Sequence, residues 1–136
     1  QHNDAAEGVQ HGTPGWEILP SLDRQPGDPA VEKCACDSFL ETTLDAVLSS
    51  AGVTDVVITG FATDFCVDTT VRSAAARGYN VTVAADAHTL HDRPHLTAPQ
   101  IIAHHHFMWS ELLLPRGGKI RVLPAGEIVA ARTTGA

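Results

Sequence analysis

The chain of 136 residues has the length of one domain, and its 43% hydrophobic residues can form a core, which excludes fibrous, coiled-coil and disordered classes. Its 9 Lys and Arg against 16 Asp and Glu give a net charge of −7, which repels phosphate backbones and anionic membrane surfaces, so we expect no nucleic-acid partner. No apolar run approaches the roughly 20 residues of a membrane helix, and the polar start lacks the shape of a signal peptide. We therefore expect a soluble, cytoplasmic protein with no membrane partner.

The beginning of the chain and its cysteines set two further expectations. The first residue is Gln1 rather than Met, and the chain opens abruptly, so we expect residues 1–136 to be a single domain that lacks an N-terminal piece. The three cysteines, Cys34, Cys36 and Cys66, cannot all pair within one chain. A core of this size does not need disulfides, so we expect reduced thiols.

The first half of the chain changes from loop to regular structure. Residues 1–30 hold four of the eight prolines and predict loops and turns. Residues 30–33 are a short candidate strand, and 38–50 have apolar residues at helical spacing up to a stop at Gly52. The β-branched run 54–60 predicts a strand buried on both faces.

The second half alternates helices and strands. Helices are predicted over 66–76, 98–114 and 125–131, and strands over 79–84 and 119–123. This order requires right-handed crossovers and predicts an α/β fold with a mainly parallel sheet covered by helices on both faces. In such sheets ligands bind beyond the carboxyl ends of the strands.

Three polar or reactive side chains lie at or just after predicted strand ends. These are Lys33, Cys66 and Asp86. We therefore expect them to converge on one crevice.

The strand-to-helix connection around Cys66 favours chemistry. It places a thiol in the first turn of a helix, where free backbone N–H groups and the helix dipole favour an anion. A thiolate there is a nucleophile, and the same N–H groups can stabilise the oxyanion that forms when a carbonyl is attacked. The residues alone leave open the alternative that Cys66 is a small packed side chain.

Two motifs carry a family resemblance. The run 60–67, G-F-A-T-D-F-C-V, resembles the nucleophile turn of the isochorismatase-like cysteine hydrolase superfamily. Upstream, Lys33 is followed by Phe39, Thr42 and Leu44 in the pattern of that family's lysine segment. The resemblance continues through several later positions and covers residues 1–129: Thr70, Ala74, Gly78, Tyr79, Asp86, Ala87, His88, Thr89 and 101–105.

The resemblance implies a Rossmann-like three-layer α/β/α sandwich and a Cys, Lys and Asp triad. Cys66 would be the nucleophile and Lys33 the cation that stabilises its thiolate. The triad Asp belongs to an earlier central strand, and neither Asp4 nor Asp37 has the matching position or context. The backbone N–H groups of Ala62 and Cys66 would form the oxyanion hole.

The resemblance also implies details of the site and the reaction. A non-proline cis bond would fall between Phe61 and Ala62, and Phe39 would border the substrate. The position of the loop after strand 79–84, rather than the resemblance, makes His88 or His91 a candidate to line the same crevice. The Cys at position 66 favours hydrolysis of an amide or carbamoyl C–N bond of a small molecule through a thioester. No cofactor is implied, and family members form homo-oligomers, dimers or tetramers.

Alternatives remain beside this interpretation. The histidines at 88, 91, 95 and 104–106 suggest zinc, but Pro94 interrupts them and their spacing completes no tetrahedral set, so we expect no metal. The Cys34-x-Cys36 pair is better explained by packing beside Lys33 than by redox or metal chemistry. A catalytically silent family member, acting as an oligomeric scaffold or small-molecule binder, is the alternative function.

Overall fold

The computed structural model of the protein describes residues 1–6, 8–115 and 118–133. Its elements, in chain order, are a short 3-10 helix Pro20–Leu22, α1 Leu44–Ser50, β1 Asp55–Phe61, a π-helical turn Thr63–Val67, α2 Asp68–Ala76, β2 Asn80–Thr89, α3 Ala98–Ser110, β3 Arg121–Leu123 and α4 Ala125–Thr133. In the described ranges, no helix has the length and apolar character needed to cross a membrane.

The three described strands form a parallel sheet in the order β1-β2-β3. Val56 pairs with Val81 on β2, and Val83 on β2 pairs with Val122 on β3. Parallel neighbours need crossover connections, and α2 and α3 supply them, as the alternating pattern predicts.

Helices cover both faces of this sheet. Successive residues of a strand point to opposite faces. Val81 and Val83 pack into the core with Val71 of α2 and Trp109 of α3. On the other face, Thr82 lines a shallow hollow with Ile128 of α4 and Val57. The predicted α/β fold with three layers is confirmed.

The expectation that residues 54–60 are buried on both faces is wrong. β1 is an edge strand of the described sheet and pairs only with β2. Val56 and Ile58 are half-buried against the core, whereas Val57 is 38% exposed. A β-branched run favours a strand, but the neighbouring elements decide its burial.

Two early predictions need correction. Residues 30–33 form no strand, although Lys33 makes a single parallel bridge to His2. The helix predicted over 38–50 begins only at Leu44. Local bonds compete with the helix, because Asp37 Oδ1 accepts the Phe39 N–H at 2.8 Å and Glu41 adopts φ 54.

Asp86 does not converge with Lys33 and Cys66. β2 continues to Thr89, and its register with β1 shifts where Ile58 and Gly60 pair with Val83 and His88. The Asp86 carboxylate accepts the backbone N–H of Ala125 at 2.7 Å, at the first residue of α4. Asp86 therefore caps the start of α4 and is not part of the site around Cys66.

Candidate active site

Cys66 lies in the π-helical turn Thr63–Val67, called the Cys66 turn below. The carbonyl of Ala62 accepts two backbone N–H groups, from Phe65 and Val67, both at 3.1 Å. The chain enters this turn through Gly60, whose φ of 121 favours glycine, and through a cis peptide bond between Phe61 and Ala62. The cis bond falls where the resemblance places it.

Lys33 is brought next to Cys66 from 33 residues away in the sequence. Its side chain is only 8% exposed, and its ammonium donates to the Ala35 carbonyl at 2.7 Å and to the Cys36 carbonyl at 3.5 Å. Lys33 Nζ lies 3.3 Å from Cys66 Sγ. A cation held at this distance favours the charged thiolate over the neutral thiol.

His2 also contacts the lysine, a role that the sequence did not indicate. His2 Nδ1 lies 3.3 Å from Lys33 Nζ, and His2 Nε2 lies 3.7 Å from Asp4 Oδ2. The backbones join too, since Lys33 N–H donates to the Gln1 carbonyl at 2.9 Å. His2 and Lys33 are 31 positions apart in the sequence and meet because their two segments pair. The spacing of residues within one segment cannot predict such a contact.

The thiol and the ammonium face a cavity of about 350 Å³. Polar and apolar groups both line it: Gln1, His2, Lys33, Ser38, Ile58, Thr59, Gly60, Phe61, Cys66, Val67 and Thr70. This volume suits a small molecule. A larger hollow of about 560 Å³ between Gln1, Trp16 and Arg24 contains neither Cys66 nor Lys33.

Phe39 and His88, the two predicted substrate contacts, are not among the described residues that line the 350 Å³ cavity. Phe39 is buried in the core, stacked on Tyr79 with centroids 5.8 Å apart and covered by the Arg77 guanidinium at 4.9 Å. His88 is buried behind the Cys66 turn. The contact of Phe39 and His88 with a substrate therefore stays a prediction.

Ala62, a predicted oxyanion donor, is buried with Leu90 and Ile101 in a second small core cluster. This cluster anchors the residue that precedes the Cys66 turn. Cys66 itself lines the cavity.

The other cysteines differ in their surroundings. Cys34 is exposed, whereas Cys36 is half-buried and its thiol lies near Cys66. Burial and the nearby Cys66 raise the pKa of Cys36. Cys36 is therefore a neutral neighbour of the candidate nucleophile, and Cys34 is a natural control for it.

An ion pair fixes the outer side of the Cys66 turn. Arg93 donates to both carboxylate oxygens of Asp64, at 2.7 and 2.8 Å, and its guanidinium lies 5.0 Å above the Phe65 ring. The hydrogen bond from Arg93 lowers the pKa of Asp64. Bidentate geometry of this kind fixes direction as well as distance.

Histidines pack behind the same turn. His88 Nδ1 and Thr63 Oγ1 share a hydrogen bond of 2.9 Å, and the Nε2 atoms of His88 and His106 are 2.9 Å apart. Within residues 1–6, 8–115 and 118–133, His, Cys, Asp and Glu form no group of three or more that could hold a metal ion. The histidines contact one another in pairs, His88 with His106 and His104 with His105.

Burial, together with the nearby His106 and His105, lowers the pKa of His88 to about 4. Burial and His105 also lower the pKa of His106. The ordinary value is 6.5, so between these pH values the unfolded chain binds more protons than the folded chain. Folding stability therefore falls as the pH drops through this window.

We expect the free energy of unfolding to fall by on the order of 2 kcal/mol between about pH 7 and about pH 4.5. His88→Asn should flatten this decline, because Asn does not titrate, and urea denaturation at each pH measures it. His95→Asn, at an exposed position, is the control and should keep the wild-type decline. An equally steep decline in both variants would contradict the assignment to His88.

Comparison with known proteins gives a family match. The Isochorismatase domain family model matches residues 1–104. The chain is 38% identical over 101 residues to streptothricin hydrolase of Streptomyces noursei, covering 73% of this chain and 36% of that protein. It is 39% identical over 75 residues to ureidoacrylate amidohydrolase RutB of Pseudomonas savastanoi pv. phaseolicola, covering 54% of this chain and 31% of that protein.

A solved structure is similar in fold. The cysteine hydrolase from Pseudomonas syringae pv. phaseolicola 1448A superposes with a TM-score of 0.86 at 22% identity, covering 98% of this chain and 64% of that chain. The chain spans about a third of the length of the two curated relatives. On the family match over residues 1–104, the chain belongs to the isochorismatase family.

Proposed function

We propose that the protein hydrolyses an amide or carbamoyl C–N bond of a small molecule, with Cys66 as the nucleophile. The observation that carries the proposal is the distance of 3.3 Å between Lys33 Nζ and Cys66 Sγ at the wall of a 350 Å³ cavity. Two relatives are named for hydrolysis, one of streptothricin and one of ureidoacrylate, which supports this reaction class.

The proposed reaction has two stages. Cys66 Sγ attacks the carbonyl carbon, the C–N bond breaks, and the nitrogen leaves as an amine or ammonia after it gains the proton that the Cys66 thiol gave up. Water then attacks the thioester, the C–S bond breaks, and the acid leaves with the thiol restored. In both stages the carbonyl oxygen becomes negative, and the backbone N–H groups of Ala62 and Cys66 are the proposed donors to it.

In this proposal, the positive charge of Lys33 stabilises the Cys66 thiolate. Its side chain is buried and held by two backbone carbonyls, so its charge is fixed beside Sγ before substrate binds. A preorganised cation needs no rearrangement during the reaction, which is the condition for effective electrostatic stabilisation.

A panel of small amides, ureides and lactams tests the reaction class. We expect the purified protein to release amine or ammonia from at least one compound, and intact-mass measurement of the quenched reaction to show an acyl adduct on Cys66. Hydrolysis without any dependence on Cys66 would contradict the proposal. Binding without turnover would favour the silent-binder alternative.

Lys33→Met should lower kcat by on the order of 10²-fold, because the thiolate loses its cation. The variant should also alkylate more slowly with iodoacetamide at neutral pH. Lys33→Arg keeps the charge and is the matched control, with a smaller loss. Equal rates in wild type and Lys33→Met would show that the lysine does not act on the thiol.

A further inference from the structure

The back of the Cys66 turn is held by side chains that never reach the cavity. Thr63, the first residue of the turn, is completely buried, and its hydroxyl shares a 2.9 Å hydrogen bond with His88 Nδ1. His88 belongs to β2 and is 6% exposed. A buried hydroxyl bonded to a buried imidazole fixes the direction of both groups, because neither has water as an alternative partner.

His88 is itself fixed by α3. Its Nε2 lies 2.9 Å from His106 Nε2, and its ring lies edge-on to Trp109 with centroids 5.4 Å apart. A neutral imidazole has one N–H, so one of the two Nε2 atoms donates and the other accepts. Either choice leaves the His88 Nδ1 atom able to complete the bond with Thr63, as acceptor or as donor.

The far end of the turn is held from the same helix. Trp109 Nε1 donates to Asp68 Oδ1 at 2.8 Å, and Asp68 is the first residue of α2, directly after the turn. Asp68 Oδ1 also accepts a hydrogen bond from Arg72 Nε at 2.9 Å. The turn is thus held at Thr63 through His88 and at Asp68 through Trp109, with Cys66 between the two.

We propose that His88 is a positioning residue, which sets the placement of Cys66 by holding the Thr63 hydroxyl. The inference rests on the proposed role of Cys66 as nucleophile. Attack on a carbonyl requires near-contact geometry, and a misplacement of about 1 Å costs on the order of 10²-fold in rate. Replacing His88 or Thr63 leaves the described residues that line the cavity unchanged. We therefore expect the replacement to lower kcat rather than to raise KM.

Thr63→Val keeps the shape of the side chain and removes the hydroxyl, and Thr63→Ser keeps the hydroxyl. We expect Thr63→Val to lower kcat by on the order of 10-fold to 100-fold with KM within about threefold, and Thr63→Ser to stay within about threefold. His88→Asn, which offers a polar atom near the Nδ1 position, should retain more activity than His88→Ala. His95→Asn is the exposed control and should match wild type.

The double variant tests the coupling. If His88 acts through Thr63, then His88→Ala combined with Thr63→Val should lose no more kcat than the worse single variant. Losses that multiply would overturn the proposal, as would a Thr63→Val kcat within twofold of wild type. Circular dichroism normalises each rate to the amount of folded protein, so a purely structural role would leave kcat per folded molecule unchanged.

Alkylation of Cys66 gives a readout that does not need a substrate. Peptide mapping follows the rate at Cys66 separately from the exposed Cys34 in wild type and Thr63→Val. A changed rate at Cys66 with an unchanged rate at Cys34 supports positioning even if no panel compound is hydrolysed, in which case only the proposed function fails. Identical Cys66 rates in both proteins would overturn the positioning role.

Discussion

Cys66→Ala is expected to lower kcat by about 10⁴-fold or more on any compound that the wild-type protein hydrolyses. The reason is that the thioester route needs the sulfur, while the remaining site supplies only binding and oxyanion stabilisation. The measurement is release of amine or ammonia under saturating substrate, with the acyl adduct of the wild-type protein absent from the variant by intact mass.

Cys34→Ser is the matched control for this change. Cys34 lies on the same segment as Lys33, but it is exposed, so its loss should leave kcat within about twofold. If Cys66→Ala retained a tenth of the wild-type rate, Cys66 would not be the nucleophile. A comparable loss in Cys34→Ser would show that the effect is not specific to the thiol beside Lys33.

Trp109→Ala is expected to cost about 3 to 5 kcal/mol of unfolding free energy. Trp109 is completely buried at the centre of the core, where it packs with Val71 and Val83, and its indole N–H is bonded to Asp68. Truncation would remove a large buried ring and that hydrogen bond together. Urea denaturation at neutral pH measures the loss.

Phe107→Ala is the control on the same helix. Phe107 is two residues from Trp109, but its side chain is 63% exposed, so its removal should cost less than about 1 kcal/mol. A similar cost for the two variants would contradict the burial of Trp109. The pair also separates loss of core packing from loss of helix propensity, since both place Ala in α3.

Local pattern predicted the order of the elements well and their ends less well. α3 begins at Ala98 as expected, but it ends at Ser110 rather than at residue 114. The helix expected from residue 66 begins at Asp68 as α2, directly after the π-helical turn that starts at Thr63. Such ends depend on capping bonds and competing side-chain contacts, which apolar spacing does not contain.

The candidate site was predicted in part. Cys66 and Lys33 were both selected from their places near predicted strand ends and again from the resemblance, and the structure brings them together. Asp86, which was selected from a predicted strand end in the same way, instead caps the start of α4. A position at a strand end is necessary for the crevice but not sufficient, because the register shift in β2 redirects the residues that follow it.

The sequence by itself determined the alternating α/β order and the family, and it selected Cys66 and Lys33 as candidate reactive residues, because local patterns or short motifs carry each of these. Only the tertiary structure decided that His2 contacts Lys33, that Cys36 lies near Cys66, and that His88 lies behind the candidate site. These contacts join residues about 25 to 31 positions apart, through strand pairing and helix packing. Periodicity reports which face of an element is buried, whereas the neighbour that covers the face is chosen by the packing of the whole chain.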